Sequence, residues 1–433
     1  MNSNVSQLTT AREGRATVKA SAATLSENRF DPELEKHPIA TAISAFACSE
    51  NRGSEHELGW KCLKDYAARS TEVYLFTSAT VNPYIEAQVQ KHGLDNVVVH
   101  LVDFSKSADF FLKTIPGLGY QLYAYVWEFR LFFHMRRRFR RNTFDLGIKS
   151  TYGSYRWPSF LWYFSKKLHL DPITGGGGFP HRFRSFFSPL ARLKESVRMF
   201  VQRVSFLDPF VLLTLYRASQ IHVGNATTKA IMPEFARKKC IVKKDFLCVD
   251  VNDFKLDEAR SQVLIDPDVL KLFYTGKLLE WKGVIIILRA LSCLPEDVRY
   301  TFTIMGDGPA RRLYEDYVEE KGLNVVFVDP KTVPRCDLSF YFLAHDLFVF
   351  PTLHGEGGYA PMEAKLHGMR LLALDFSGLN DVMTEGDICI QTEGKSCEAV
   401  IQSIAEEIDA LYRVCKCLGV EDKVFGAKNG AAL

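Results

Sequence analysis

The sequence has no long hydrophobic run and no strong charge imbalance. Its 433 residues contain no stretch near the roughly 20 apolar residues that a membrane-spanning helix needs, and Val284–Leu288 is a typical apolar run. The formal net charge is only +3, so a polybasic nucleic-acid-binding protein is not expected. The 28 glycines and 17 prolines are near average usage, which excludes a collagen-like or low-complexity chain. With 47% hydrophobic residues, the chain can build the cores of two or three domains.

Paired cysteine motifs are also missing. The ten cysteines include no CxxC pair, and only Cys415 and Cys417 lie close together, with CxC spacing. This pattern is typical of reduced, mostly buried thiols in a cytosolic protein, with a zinc site at the CxC pair as the alternative. No cluster of carboxylates and histidines with metal-ligand spacing stands out, so we expect no metal site.

Composition and hydrophobic pattern divide the chain into four parts. Residues 1–36 are rich in Ser, Thr, Ala and Asn, which predicts a disordered polar tail. Residues 37–243 and 269–433 each alternate short apolar runs with helical patterns, and residues 244–268 form the predicted linker. This alternation indicates βαβ units and parallel sheets, so the predicted fold class is α/β with two doubly wound domains. Such domains bind ligands at the carboxyl ends of their strands.

Short apolar runs predict the strands of both domains. In the first domain they are Ile39–Cys48, Glu72–Thr77 and Val97–Val102. In the second domain they are Lys271–Leu278, Tyr300–Met305, Val325–Val328, Asp346–Pro351 and Arg370–Phe376. The helices predicted between these later strands are Gly283–Leu294, Pro309–Lys321, Ser339–Ala344 and Tyr359–Leu366.

A basic segment lies in the middle of the chain. Residues 121–203 contain 16 Lys or Arg residues and four acidic residues, a net charge of +12. Arginines are interleaved with aromatic residues at 136–141 (RRRFRR) and at 181–187 (HRFRSFF). Such a segment suits an anionic membrane surface or a phosphate-bearing acceptor, and a solvated basic face without a partner is the alternative. The helical pattern from Tyr120 to Arg141 is apolar nearly all round, but Glu128 near its centre favours a core-packed helix over a membrane span.

Loop motifs follow three of the strands predicted for the second domain. The first is GKLLEWKG, where Lys277 and Lys282 flank a turn that opens a helix. Two ammonium groups beside a helix N-terminus are suited to bind a diphosphate, although two lysines near a turn can also simply face solvent. The second is MGDGP, with Gly306 and Asp307, which an ordinary strand–turn–helix connection with proline in the first helical turn also explains.

The third motif is LHGEGGYAPMEAKLHG, from Leu353 to Gly368. Its glycines let the backbone approach a ligand closely and lead into a helix N-terminus. Glu356 lies in the loop and Glu363 lies seven residues later on the helix, which suits recognition of sugar or ribose hydroxyls. A cap or an ion pair of Glu363 on a surface face is the alternative.

Together, these motifs resemble those of family-4 glycosyltransferases. The blocks FYTGKLLEWKG, FTIMGDGPARRL and FPTLHGEGGYAPMEAKLHG are similar, in order, to the family's lysine–glycine, GDGP and acidic-loop motifs. In the first domain, FACSENRGSEHELGW, TYGSYRWPSFLW and DPITGGGGFP resemble the loops of a bacterial subgroup. The resemblance implies the GT-B fold, with two Rossmann-like domains facing a central cleft. It also implies a retaining sugar transfer that needs neither a metal nor another cofactor.

The resemblance further implies the roles of individual residues. The second domain would hold the donor, a nucleotide diphosphate sugar, with Lys277 and Lys282 neutralising the leaving diphosphate. Glu363 would bind the ribose hydroxyls, and Glu356 would orient the donor sugar. The donor-binding set is Gly276, Lys277, Lys282, Gly306, Asp307, Gly357, Gly358, Tyr359, Ala360 and Glu363. The acceptor-side set is Gly53, Ser54, Glu55, Tyr152 and Arg156.

Two donor-site positions depart from the family pattern. Lys277 stands where the family usually has Arg, which keeps the charge but loses the bidentate fork. Gly355 occupies the position eight residues before Glu363 that is usually acidic, so Glu356 would have to act from the neighbouring place. These departures support one alternative, a catalytically silent relative that serves as a binding or assembly protein. A nucleotide-sugar epimerase of the same two-domain fold is the other alternative.

The expected function is sugar transfer to a hydroxyl of a glycan or a lipid-linked acceptor, in glycan or polysaccharide biosynthesis. The expected partners are the nucleotide sugar, the acceptor and an anionic membrane surface, with no nucleic acid. The expected location is the cytoplasm, with peripheral attachment at the inner face of the membrane.

Overall fold

The computed structural model describes residues 39–50, 54–104, 119–243, 268–354, 358–376, 379 and 383–428. The predicted tail, almost all of the predicted linker, and Gly53, Glu356 and Gly357 lie outside these residues. The chain divides into two units. The amino unit comprises residues up to 177 and residues 197–243, and the carboxyl unit comprises residues 178–196 and 268–428.

The amino unit is built on a seven-stranded parallel sheet with strand order β3-β2-β1-β4-β5-β6-β7. Its strands are β1 Ala40–Ala45, β2 Glu72–Thr77, β3 Val97–Leu101, β4 Phe144–Ser150, β5 Ser165–Ile173, β6 Gln220–Val223 and β7 Cys240–Val242. The chain adds β2 and β3 on one side of β1, and then β4 to β7 on the other. The strand order therefore reverses between β1 and β4.

The helices of the amino unit cover both faces of this sheet. They are α1 Ser54–Ala67, α2 Ile85–Lys91, α3 Gly119–Arg136, α4 Leu161–Phe164, α6 Pro209–Arg217, α7 Ala226–Ile231 and α8 Glu234–Arg237. Helix α5, Pro189–Val204, has residues 189–196 in the carboxyl unit and the rest in the amino unit. Two separate cores result: α1 and α2 pack on one, with Trp60 and Ile85 buried, and α3 packs on the other, with Trp127 buried.

Helix α3 confirms the core-packed helix predicted from its apolar sequence. The carboxylate of Glu128 is buried and its Oε1 accepts hydrogen bonds from Lys149 Nζ at 2.8 Å and Ser44 Oγ at 3.3 Å. The charge near the centre of α3 is therefore neutralised inside the amino unit. Among the described residues, no single helix is long and apolar enough to span a membrane. Within the described ranges, one bent pair of helices, Pro189–Leu207 and Pro209–Arg217, which turns by 64°, reaches that length and composition.

The carboxyl unit is built on a six-stranded parallel sheet with strand order β10-β9-β8-β11-β12-β13. Its strands are β8 Leu270–Thr275, β9 Tyr300–Met305, β10 Val325–Val328, β11 Leu347–Phe350, β12 Arg370–Leu374 and β13 Ile388–Ile390. Its further helices are α9 Val284–Leu291, α10 Arg311–Lys321, α11 Leu338–Ala344, α12 Tyr359–Leu366 and α13 Cys397–Lys428. The strand order reverses between β8 and β11, as it does between β1 and β4. Two Rossmann-like α/β units confirm the predicted fold class.

Residues 178–196 pack on the carboxyl unit, although the chain enters this segment from the amino unit. The Arg182 guanidinium donates hydrogen bonds to the carbonyls of Thr392 and Lys395. The backbone N–H and hydroxyl of Ser188 donate to the carboxylate of Glu280 at 2.6 and 2.7 Å. This segment lies within residues 37–243, the span predicted for the first domain.

Candidate functional site

The two strand-order reversals are the places where a doubly wound sheet opens a crevice for a ligand. In the carboxyl unit, the loops that follow β8 and β11 lie on either side of the reversal. These loops contain Lys277 and Lys282 after β8, and His354 and Gly358 after β11. The motifs selected from the sequence are therefore at the expected edge of the sheet.

The loop after β8 is held by two buried tyrosines. Tyr274 Oη donates a hydrogen bond to the Lys277 carbonyl at 3.2 Å, and Tyr314 Oη donates to the Leu279 carbonyl at 3.3 Å. Burial raises the pKa of both phenols, so both remain neutral donors. The Lys277 side chain is exposed, and no described carboxylate forms an ion pair with its ammonium. A fixed backbone thus presents an available cation.

Two glycines let the MGDGP loop pack against the loop after β8. A Cβ at Gly306 would collide with the Gly276 carbonyl oxygen, and a Cβ at Gly308 would collide with that of Leu278. The Leu278 N–H donates to the Asp307 carbonyl at 2.9 Å, while the Asp307 side chain is exposed. Backbone packing therefore accounts for the glycines, and donor contact by Gly306 and Asp307 stays a prediction.

Lys282 lies between two aromatic rings. Its Nζ is 4.5 Å from the centroid of the Trp281 ring and 5.2 Å from that of Phe350, within cation–π range. The next residue, Gly283, has a left-handed φ of 73° and would place any Cβ against the Pro351 carbonyl oxygen. The turn Glu280–Lys282 therefore packs tightly against the end of β11, which positions the ammonium at the reversal.

His354, which was not selected as a site residue, lies against Trp281, the residue before Lys282, and pairs with Glu195, which was not selected either. The His354 ring stacks on Trp281 at 4.1 Å between centroids and 6° between planes. Its Nε2 lies 3.1 Å from Oε2 of Glu195, and both side chains are buried. Glu195 comes from α5, 159 residues away in sequence. No local sequence pattern could have predicted the contact between Glu195 and His354. The one available signal was the histidine itself, in the motif that follows β11.

Helix α12 begins directly after Gly358 and carries Glu363 on its buried side. The Glu363 carboxylate is 4% exposed and its Oε1 accepts a hydrogen bond from Arg335 Nη2 at 2.7 Å. The alternative of a cap or pair on a surface face does not describe this geometry, because the Glu363 side chain is buried while that of Arg335 is 30% exposed. Arg335, the cation of this ion pair, was not selected from the sequence. Tyr359 and Ala360 form the first turn of α12, whose N–H groups have no partner within the helix.

The described residues of the predicted acceptor-side set, Ser54, Glu55, Tyr152 and Arg156, lie at the reversal of the amino unit. The Tyr152 N–H donates to Glu55 Oε2 at 2.8 Å, which joins the loop after β4 to the start of α1. Tyr152 and the preceding Thr151 have positive φ values of 44° and 59°, a conformation uncommon outside glycine. Arg156 Nε donates to Ser154 Oγ at 2.8 Å, and Ser54 is the first residue of α1. Glu55 and Tyr152 are thus brought together, and Arg156 lies in the same loop as Tyr152.

The arginine-rich segments have their aromatic rings turned inward. Phe183, Phe186 and Phe187 are buried, and Phe139 packs against the amino unit's second core. The arginines at 136–138 are exposed, so they remain available for charge interactions. Within the ranges that the structure describes, no group of three or more His, Cys, Asp or Glu side chains is arranged to hold a metal ion.

Comparison with known proteins gives a family for part of the chain. Residues 256–413 match the family model described as "Glycosyl transferases group 1". The 2-deoxystreptamine glucosyltransferase of Streptomyces kanamyceticus is 32% identical over 111 residues, which is 25% of this chain and 29% of that protein. The chain spans at most about half the length of the curated relatives it matches.

Solved structures with a similar fold cover nearly the whole chain. Sucrose-phosphate synthase from Thermosynechococcus elongatus has a TM-score of 0.55 at 15% identity, over 90% of this chain and 94% of that one. WaaG, a glycosyltransferase involved in lipopolysaccharide biosynthesis, has a TM-score of 0.52 at 14% identity, over 90% and 98%. At such identities the likeness concerns the fold.

Proposed function

We propose that the protein is a glycosyltransferase, because residues 256–413 match the family described as "Glycosyl transferases group 1". It moves a sugar from a nucleotide diphosphate sugar to a hydroxyl of a glycan or lipid-linked acceptor. The observation that carries the proposal is the pair Lys277 and Lys282 in the loop after β8, at the strand reversal. The enzyme would serve glycan or polysaccharide biosynthesis at the cytoplasmic face of a membrane.

The two lysines supply the charge that the reaction demands. As the bond between sugar and diphosphate breaks, negative charge develops on the leaving phosphate oxygens. Lys277 meets this charge from an exposed position, and Lys282 meets it from between Trp281 and Phe350. Positive charge fixed beforehand needs little reorganisation during the reaction, which is why we propose metal-independent transfer.

In this proposal, the remaining contacts to the donor are made by α12 and by the loop before it. The buried Glu363 carboxylate, oriented by Arg335, is suited to accept hydrogen bonds from the two ribose hydroxyls. We assign the donor sugar to Glu356, which lies outside the described residues. The donor would bind first to these elements, and transfer would proceed with retention at the anomeric carbon, as in the family that the sequence resembles.

The acceptor hydroxyl belongs to the amino unit in this proposal. Glu55 and Tyr152 stand at the reversal between β1 and β4, the crevice position of that sheet. The exposed carboxylate of Glu55 offers an acceptor for sugar hydroxyls, and Arg156 offers a cation for a phosphate on the acceptor.

A ligand screen tests the proposal directly. Nucleoside diphosphates and their sugars are added to the protein, and the midpoint of thermal unfolding is measured. A donor nucleotide at 100 times its dissociation constant stabilises the folded protein by about 2.7 kcal/mol. The nucleotide that gives the largest shift is then supplied as its sugar, and release of nucleoside diphosphate is followed. Absence of any nucleotide-dependent shift would contradict the donor site, and binding without turnover would instead identify a silent relative.

A further inference from the structure

Part of helix α5 carries polar side chains that are hydrogen-bonded within the protein. Glu195 is buried and pairs with His354, and Gln202 Nε2 donates to the Gly175 carbonyl at 2.6 Å. Arg198 Nη1 donates to the Gly177 carbonyl at 3.3 Å, and the Arg184 guanidinium donates to the Ser196 hydroxyl. These contacts join α5 to the glycine run at 175–178 and to His354 in the candidate donor site. The polar groups that make them therefore face the protein interior.

The opposite side of α5 is apolar and exposed. Leu190 and Leu193 are each 61% exposed, Val197 is 43% exposed and Phe200 is 64% exposed. Their spacing of three, four and three residues places them on one stripe of a helix with 3.6 residues per turn. The stripe continues into Leu207, which is 78% exposed in the turn after the helix. A surface helix of a soluble protein normally packs its apolar side against the core and exposes its polar side. An exposed apolar stripe therefore indicates an interaction surface.

Basic side chains border the stripe on both sides. At 100° per residue, Arg192 and Arg203 lie on one flank and Lys194 lies on the other, and all three are exposed. Their charges would repel an identical stripe on a second copy of the chain, because like charges would face each other across a two-fold interface. The combination of an apolar strip and cationic flanks instead matches a surface that is anionic outside and apolar beneath.

We propose that the α5 stripe, defined as Leu190, Leu193, Val197, Phe200 and Leu207, inserts into the interface of an anionic lipid bilayer. The helix lies parallel to the membrane, the apolar side chains enter the headgroup–acyl boundary, and Arg192, Lys194 and Arg203 contact lipid phosphates. The inference rests on the proposed function in one respect, because a lipid-linked acceptor gives the surface its use. The arginines at 136–138 are exposed, while Phe139 in the same run packs against the core of the amino unit.

Vesicle flotation of the full-length protein tests the proposal. Vesicles of phosphatidylcholine containing phosphatidylglycerol should carry the protein, and vesicles of phosphatidylcholine alone should carry much less of it. High salt should weaken binding to the anionic vesicles, because the cationic flanks are screened. The double variant Leu193→Glu, Phe200→Glu should lower the partition onto anionic vesicles by at least about tenfold, since both charges would enter the apolar boundary.

Matched variants separate insertion of the stripe from a general effect of added negative charge and from loss of activity. Leu313 of α10 is an exposed leucine outside the stripe, so Leu313→Glu should leave vesicle binding unchanged. Lys282→Ala should float like the unaltered protein even where transfer is lost, which keeps this test apart from that of the proposed function. Equal flotation of the double variant and the parent would overturn the proposal, as would no binding to anionic vesicles at low salt. Self-association of the parent that the double variant abolishes would assign the stripe to a second copy and would also overturn it.

Discussion

Lys277 and Lys282 differ in their surroundings although they belong to one loop. Lys277 is exposed and held only through its backbone, whereas Lys282 lies over the rings of Trp281 and Phe350. An exposed ammonium can be exchanged for another cation at little cost, because no neighbouring side chain depends on its shape. An ammonium packed against two rings cannot be replaced so easily, because the rings fix its position and interact with its positive charge.

Substitution of the two lysines should therefore have unequal effects. We expect Lys282→Ala to abolish detectable transfer and Lys277→Arg to preserve or raise it, because a guanidinium can bind phosphate oxygens through two parallel hydrogen bonds. Donor turnover is the measurement, and Lys321→Ala in the last turn of α10 is the control. Unchanged turnover in Lys282→Ala would remove this residue from the diphosphate site.

Glu363 should act on nucleotide binding rather than on the chemical step. Contacts to the ribose are made equally in the ground state and the transition state, so their loss weakens binding while kcat at saturation changes little. We expect Glu363→Gln to raise the dissociation constant of the nucleoside diphosphate measured by calorimetry. Glu320→Gln, on an exposed side chain, is the control. A lower kcat with unchanged nucleotide affinity would assign Glu363 to the reaction itself.

Single residues also show where sequence reasoning ends. Lys277, Lys282 and Glu363 could be selected as candidates because each belongs to a motif of consecutive residues. Arg335 and Glu195 could not be selected, because their contacts with Glu363 and His354 form only when folding joins distant segments. A contact between residues that are distant in sequence produces no regular sequence pattern from which it could be predicted.

At the scale of elements, the strands of the carboxyl unit were the most predictable feature. Strands of parallel sheets often appear as continuous apolar runs. The structure confirms Tyr300–Met305 and the edge strand Val325–Val328 with the predicted bounds. The first predicted strand of this unit was extended to Leu278 but ends at Thr275, because Gly276 takes a φ of 150°. Strands β4 to β7 were not predicted, since aromatic and basic residues around them obscure the short apolar runs.

The close contact between the loops after β8 and β11 can be tested with two glycines that share a conformation. Gly283 has a φ of 73° and Gly368 a φ of 77°, but only Gly283 has a neighbouring carbonyl, that of Pro351, where a Cβ would lie. Both alanine substitutions incur the strain of a left-handed backbone, about 1 kcal/mol. We expect Gly283→Ala to lower the midpoint of thermal unfolding further than Gly368→Ala and to reduce donor affinity as well. Equal effects of the two substitutions would mean that the contact can relax.

At the scale of the whole molecule, partly buried histidines make stability depend on pH. Burial, followed by nearby positive charge, lowers the pKa of His134 and of His169 to about 4. Burial also lowers the pKa of His345 to about 4, against a hydrogen bond to the Tyr341 carbonyl that raises it. All three are neutral in the folded protein at pH 7. In the unfolded chain each binds a proton below about pH 6.5.

Stability should consequently fall as the pH is lowered from about 6.5 to 4. The unfolded state binds more protons than the folded state across this interval, so acid favours unfolding. The midpoint of thermal unfolding, measured between pH 7.5 and pH 4.5, should decrease, with most of the loss below about pH 6.5. His345→Gln, which cannot be protonated, should make this decrease shallower. An equally steep decrease in His345→Gln would show that His345 does not contribute.

The packing of residues 178–196 on the carboxyl unit has a consequence for protein engineering. The donor half of this chain is encoded in two separate stretches, because Arg182, Ser188 and Glu195 all make their contacts with residues after position 268. Transfer of only residues 268–428 into another enzyme would leave His354 without Glu195 and Glu280 without Ser188. Transplanting donor specificity into or out of this scaffold therefore requires moving both stretches together, and recombination within the earlier one would separate parts that function as a unit.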